Sequence, residues 1–299
     1  MSHGKHFDRW DSWWDITWPL RRFRQHHTEL NQFYWAAVVA GQYAERSSKS
    51  AAPGDSTVTH FGFSSPDGNR VPRTIAQWVT RFREYSNWTR LSAAMALASC
   101  LEMYIQATVT LAVESDPGVL IRAPRKVDGV SLLKAGADYG QRDAALPIVK
   151  GTWQARIGHY RKLFGVVPRV LQDSLPELER LRQFRNSVGH AFGRDLDAGT
   201  PLVELEAAPL QSLSEDRLKK WLGLTASVVG AVDRHLRVVH IGAYEVIRLY
   251  HDWPGRRRLV QHDQPRALKK AIGAGCGSDL PSSHYLREAL SYYHKLPGV

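Results

Sequence analysis

Along most of the chain apolar residues recur at steps of three and four, the period of an amphipathic α-helix. Phe7, Trp10, Trp14 and Trp18, followed past Pro19 by Leu20, Phe23, His27, Leu30, Tyr34 and Val38, predict a helical stretch over residues 7–46 that is interrupted at the proline. Residues 47–73 lose the period and are rich in Ser, Gly and Pro. Within them Thr57 to Phe63 alternates briefly before Pro66-Asp67-Gly68-Asn69, which fits a short hairpin or an ordered loop equally well. The helical period returns with Ile75, Trp78, Val79, Phe82 and Tyr85. Beyond a candidate break near Asn87, a second stripe runs through Leu91, Ala94, Ala98, Leu101, Ile105, Thr108 and Ala112 and stops at Asp116-Pro117-Gly118. Residues 119–150 read mainly as connection with one short helix near Val130 to Ala135, and Trp153 to Phe164 reads as a helix closed by Gly165.

The clearest helix covers residues 175–192. Ser174-Leu175-Pro176-Glu177 has the spacing of a capping box with proline in the first turn, and Gly193 stands where a left-handed C-cap belongs. Residues 214–250 read as one long helix or two, with Leu218, Leu222, Val229, Val232, Leu236, Val239 and Tyr244 inward. From Trp253 onward the chain is basic, opening with Arg256-Arg257-Arg258, containing Gly273-Ala274-Gly275-Cys276-Gly277, and ending in a helix from Ser283 to His294. The pattern predicts an all-α fold in three parts: an aromatic helical segment and loop (1–72), a helical domain (73–252) and a basic C-terminal extension (253–299). No internal repeat stands out.

Composition supports a sizeable core, since 43% of the 299 residues are hydrophobic and 23% charged. No run approaches the roughly 20 uninterrupted apolar residues of a membrane span, and Met1 to Trp18 lacks the apolar centre of a secretory signal. Cys100 and Cys276 stand alone, which argues against a disulfide framework and a zinc site and fits a reducing cytoplasm. The histidines, His26, His27, His235 and His240 among them, show no metal spacing, so no metal or other cofactor is expected. Charge changes the picture more. Forty Lys and Arg against 29 Asp and Glu give +11, a balance that favours a polyanionic partner, RNA foremost.

Candidate chemistry concentrates on the 175–192 helix. Leu178, Leu181, Phe184, Val188 and Phe192 form its apolar stripe, with Arg185 at the edge. Asn186 and His190, four residues apart, share a different and polar face, with Arg182 one turn back. Arg185 and His190 are separated by about 140° around the axis, a gap that a long Arg side chain spans past Gly189. A glycine at 189 costs on the order of 1 kcal/mol of helix stability, which is best explained by the close approach of another backbone or a ligand.

This arrangement, Arg-polar-x-x-x-His near the end of a helix in an all-helical chain, resembles the signature of the HEPN superfamily. Leu97-Ala98-Ser99-Cys100-Leu101-Glu102-Met103-Tyr104 is similar to the early helix of many HEPN ribonucleases, and Tyr160-Arg161-Lys162-Leu163-Phe164-Gly165 to the helix and turn that precede the signature helix. The likeness covers roughly residues 75–250. It implies an antiparallel helical bundle acting as a homodimer, in which both copies of Arg185 and His190 line one composite cleft. The implied activity is a metal-independent endoribonuclease, a cytoplasmic toxin or anti-phage effector cutting tRNA or mRNA to 2′,3′-cyclic phosphate and 5′-hydroxyl ends. His190 would exchange protons with the 2′-OH and the leaving 5′-oxygen, Arg185 would hold the phosphate, and Asn186 would orient His190 or the phosphate as a neutral donor. In one branch a Tyr two places after the His receives a nucleotide from a partner antitoxin; Phe192 occupies that place and has no hydroxyl, so a different protein antitoxin or an activator is expected.

Plainer readings stand beside these. Arg185 and His190 also suit an ordinary helix C-terminus. Glu102 and Arg182 are candidate supports of the site, though Glu102 fits structural pairing, with Arg185 for instance, or a solvated position. Trp10, Trp13, Trp14 and Trp18 suit base stacking or packing of the N-terminal segment. Arg256, Arg257 and Arg258, with Lys269 and Lys270, suit an RNA backbone or a solvated surface run. The alternative function is a non-catalytic HEPN module for RNA or protein binding and dimerisation, and a helical scaffold is the third.

Overall fold

The computed structural model describes residues 6–189, 210–276 and 279–297, and within them the fold is all-α. The described helices are α1 (Trp18–Ser48), α2 (Thr57–His60), α3 (Ile75–Ser115), α4 (Gly129–Ala135), α5 (Gln141–Val149), α6 (Trp153–Phe164), α7 (Arg169–Asp173), α8 (Leu175–Gly189), α9 (Glu215–Leu236), α10 (Tyr244–Asp252), α11 (Gly255–Arg258), α12 (Gln264–Cys276) and α13 (Ser283–Lys295). Short 3₁₀ turns cover Pro66–Arg70 and Pro117–Ile121, and one π-turn covers Arg237–Ile241. Among the described residues the sole β feature is an isolated antiparallel bridge between Ser56 and Thr74.

Local chemistry explains several boundaries. Residues 6–17 are not helical, contrary to the stripe at Phe7, Trp10 and Trp14: α1 begins at Trp18, with Pro19 in its first turn, where a missing N–H costs nothing. The alternation at Thr57 resolves into the one-turn α2, capped by Ser56, whose hydroxyl accepts from Thr59 N at 3.4 Å. No break occurs at Asn87, and α3 runs unbroken for 41 residues. By length and hydropathy α3 is able to cross a membrane, but 56% of its most apolar window is buried, as in a core helix. Thr152 and Gly165 (φ +74°) bound α6 as its spacing predicts. The capping box at Ser174 does not form in the expected manner, because Ser174 has helical backbone angles (φ −84°, ψ −5°). The 141–149 stretch, read as connection, is helical (α5) in spite of Pro147.

The chain divides into two compact units, each assembled from separate stretches. Unit 1 comprises residues 1–23, 101–176 and 226–299; unit 2 comprises 24–100 and 177–225. The divisions fall inside α1, α3, α8 and α9.

Unit 1 is organised around buried polar groups. Arg9 is 6% exposed, and its guanidinium donates to Asp128 Oδ1 (3.0 Å), Ile241 O (3.0 Å) and Ser115 O (2.9 Å). These acceptors replace the water the cation gives up. Ser115 Oγ donates to His240 O at 2.7 Å, and Asp116 and His240 form a buried pair at 2.9 Å. Gly242 (φ +54°) has to be glycine, since a Cβ there would collide with the backbone of Arg9 and Trp10. The tryptophans of the N-terminal segment pack rather than face solvent: Trp14 is buried and donates to Asp279 O at 2.9 Å, and Trp13 lies 4.9 Å from the Tyr285 ring. The C-terminal helices are packed too, with Leu268 and Ile272 of α12 and Tyr285, Leu286, Ala289, Leu290 and Tyr293 of α13 buried.

Unit 2 has an apolar core. Tyr34 of α1, Leu91, Ala94, Leu97 and Ala98 of α3, Leu181, Phe184 and Val188 of α8, and Leu218, Trp221 and Leu222 of α9 form one cluster. Four helices each supply one apolar stripe, the solution expected of a helical bundle.

Candidate functional site

The core stripe of α8 sets the orientation of everything else on it. With Leu178, Leu181, Phe184 and Val188 buried, the 100° step turns Asn186, Ser187 and Gly189 to solvent and leaves Arg182 and Arg185 half-buried. Arg185 Nη1 donates to Asn186 Oδ1 at 3.3 Å, so the structure joins two of the predicted site residues. Arg182 is held by Glu179, with Nε 3.0 Å from Oε1. His190, the third member of the predicted set, lies outside the described residues, as do Phe192 and Gly193.

Gly189 does not meet a close neighbour. A Cβ there would find only Met95 Cε within 4 Å, at 3.8 Å, which is ordinary contact. Among the described residues of one chain, no backbone presses on this glycine.

Glu102 sits in unit 1, where its carboxylate accepts from Arg156 Nη2 at 3.0 Å. The arginines of α11 divide. Arg256 is half-buried, bonded to the Tyr293 hydroxyl and 5.7 Å from that ring, while Arg257 and Arg258 are exposed. Arg256 is therefore engaged in packing α11, and the exposed cationic surface of this run is carried by its two neighbours.

Sequence reasoning missed a cleft of about 450 Å³ beside α8. Arg180, Gln183, Phe184 and Ser187 line it from α8, residues 211–214 from the connecting segment, and Arg217 and Trp221 from α9. Phe184 and Trp221, with ring centroids 5.1 Å apart, make an apolar floor. Asn87 of α3 fixes the segment wall: its amide donates to Gln211 O at 2.8 Å, and its carbonyl accepts from Leu213 N at 2.9 Å. Arg90 Nε adds a bond to Leu213 O at 2.6 Å, and Ser187 Oγ donates to Gln211 Oε1 at 2.9 Å.

Glu177 organises the positive charge at this cleft. It accepts from Lys220 Nζ (2.8 Å) and Trp221 Nε1 (3.3 Å) and pairs with Arg180 and Arg217. Lys220's hydrogen bond, working against partial desolvation, lowers the Glu177 carboxyl from its ordinary value, and those from Trp221 and Arg180 act in the same direction. One carboxylate thus faces three cations, which leaves the rim net positive. Gln183 and Ser187 face this cleft, whereas Arg185 falls on the other side of α8, about 160° from Gln183 by the helical step.

No family model matches the chain, and no curated protein or solved structure is similar to it.

Proposed function

We propose that this chain is a metal-independent endoribonuclease of the HEPN type, acting in the cytoplasm as a toxin or anti-phage effector. The observation that carries the reading is the Arg185–Asn186 pair, joined at 3.3 Å on the outward side of a helix whose sequence continues to His190. RNA brings its own nucleophile, so the protein needs to move two protons and hold one phosphorane. His190 takes the 2′-OH proton and returns one to the 5′-oxygen. Arg185 donates two hydrogen bonds to the phosphate, and Asn186 orients the guanidinium through the bond already present. Two copies of the chain supply one composite site, with single-stranded or looped tRNA or mRNA as substrate. A protein antitoxin or an activator outside the chain controls it.

The test is cleavage of total cellular RNA in excess chelator by wild type, Arg185→Ala and His190→Ala, with product ends mapped. Chelator-resistant cleavage that leaves cyclic phosphates, and is absent from both variants, supports the reading. Equal cutting by the variants sinks it.

A second reading rests on the cleft. Its aromatic floor, cationic rim and separation from Arg185 suit a non-catalytic module that binds RNA or a protein partner. That reading predicts salt-sensitive RNA affinity with no cleavage, weakened by Arg217→Ala and left intact by His190→Ala.

A further inference from the structure

Unit 1 brings together three ligating side chains that lie far apart in the sequence. His284 and Glu288 are one turn apart on α13 and so share a face. His6, from the non-helical N-terminal segment, meets them there. His284 Nε2 lies 3.4 Å and His6 Nδ1 lies 3.6 Å from the same oxygen, Glu288 Oε1. All three donor atoms fall within 4.8 Å of one another. The two rings meet edge-on, 82° apart with centroids at 5.4 Å, so their nitrogens converge without the rings stacking.

These separations suit a metal. Four donors arranged tetrahedrally at zinc–nitrogen bond lengths lie about 3.3 Å apart, close to two of the edges present. The other Glu288 oxygen is already employed, accepting from Phe7 N at 2.9 Å. That bond anchors the carboxylate and leaves Oε1 directed at the two imidazoles, the kind of outer support that orients a ligand. Two imidazoles and one carboxylate favour zinc and its neighbours over magnesium or calcium.

We propose that His6, His284 and Glu288 bind a divalent transition ion of the zinc class, with water at the fourth position, and that this ion clips the N-terminal segment to α13. The exposure of His6 and His284 makes the site exchangeable. The clip acts on the segment that carries Arg9 and Trp14 into the core of unit 1. It involves none of the residues assigned to RNA cleavage and stands whether or not that activity exists.

The experiment uses the full chain, dialysed against chelator and then titrated with zinc chloride by calorimetry. Amide hydrogen exchange of residues 6–17 is followed with and without zinc. Wild type binds one zinc per chain at this site and slows exchange in that segment. His284→Ala and His6→Ala each weaken binding by on the order of 100-fold and abolish the slowing, and Glu288→Gln does the same. His284→Gln serves as a second variant, with circular dichroism checking that each variant retains its helix content. Wild type that takes up no zinc overturns the proposal and leaves the cluster as two histidine–carboxylate pairs. Equal zinc affinity in the His6 and His284 variants overturns it as well, and binding without slower exchange overturns the clip.

Discussion

The two units solve the burial problem in opposite ways. Among the described residues, the buried acidic, basic and histidine side chains all belong to unit 1: Arg9, Glu114, Asp116, Arg156, Asp233, His240 and Glu245. Among its described residues unit 2 buries no charged side chain, only hydroxyls (Ser48, Thr57, Thr225 and the phenol of Tyr34) amid hydrocarbon and rings. The exposed surfaces reverse the comparison. The large aromatics left in solvent, Phe33, Trp35, Tyr43, Phe63, Tyr85 and Trp88, are all in unit 2. A buried ionic network penalises any arrangement that leaves a member unpaired, so unit 1 is built for a single conformation. An apolar core with aromatics and arginines outside tolerates partners, and α8 and its cleft lie in that unit.

The sharpest way to break this comparison is to remove chemistry from unit 2 without disturbing its core. Arg185→Ala and His190→Ala are expected to lower RNA cleavage by about 10²–10⁴-fold while circular dichroism and the unfolding midpoint stay unchanged. A matching loss of stability would show that α8 serves packing instead. In unit 1 the reverse is expected. Arg9→Ala takes the buried cation away from Asp128 and a donor away from the carbonyls of Ser115 and Ile241, and should cost about 3–5 kcal/mol in urea unfolding.

Glu245 tests the same network through pH. Burial in the first place, with Asp233 adding to it, raises its carboxyl from 4.5 to about 8, and Oε2 has no hydrogen-bond partner among the described residues. The folded state therefore keeps a proton that the unfolded chain releases between those values. Stability from this group is full at low pH, declines as pH rises from 4.5 toward 8, and levels off above. Glu245→Gln preserves an acceptor for Trp18 N and should flatten that decline, giving a more stable protein than wild type at pH 8 and above. A parallel pair of stability-against-pH curves would remove Glu245 as the cause. The smallest effect is expected for Asn87→Ala, which frees the 211–213 wall of the cleft. About 1–2 kcal/mol of stability should be lost, with faster amide exchange confined to that wall.

What the sequence revealed depended on whether the cause was local. The ends of α6 and the start of α13 were legible because Thr152, Gly165 and Ser282 act on their own turns. The N-terminal stripe misled because tryptophans three and four apart suit any buried segment, and here Arg9 and Trp14 are held by residues more than 100 positions away. Asn87 looked like a break since it favours turns, but its side chain is engaged with residues 211 and 213, which leaves the helix free to continue. Of the candidate site, Arg185, Asn186 and the stripe beneath them could be read from spacing. The cleft could not, since four of its ten lining residues come from the 211–214 segment. His284 and Glu288 stand four residues apart, a pair too common on helices to read as metal spacing, and His6 was beyond any local pattern.

The way unit 1 is threaded also has a clock in it. Phe7 donates its amide to a carboxylate 281 residues later, and Arg9 reaches an acceptor 232 residues on. At ribosomal speeds of about 5–20 residues per second, the opening segment waits roughly 15–60 s for α13 to be made. Through that interval its tryptophans have no finished pocket, and α8 has long since emerged. A chain terminated between α8 and α13 would carry α8 with Arg185 and Asn186 but no completed unit 1.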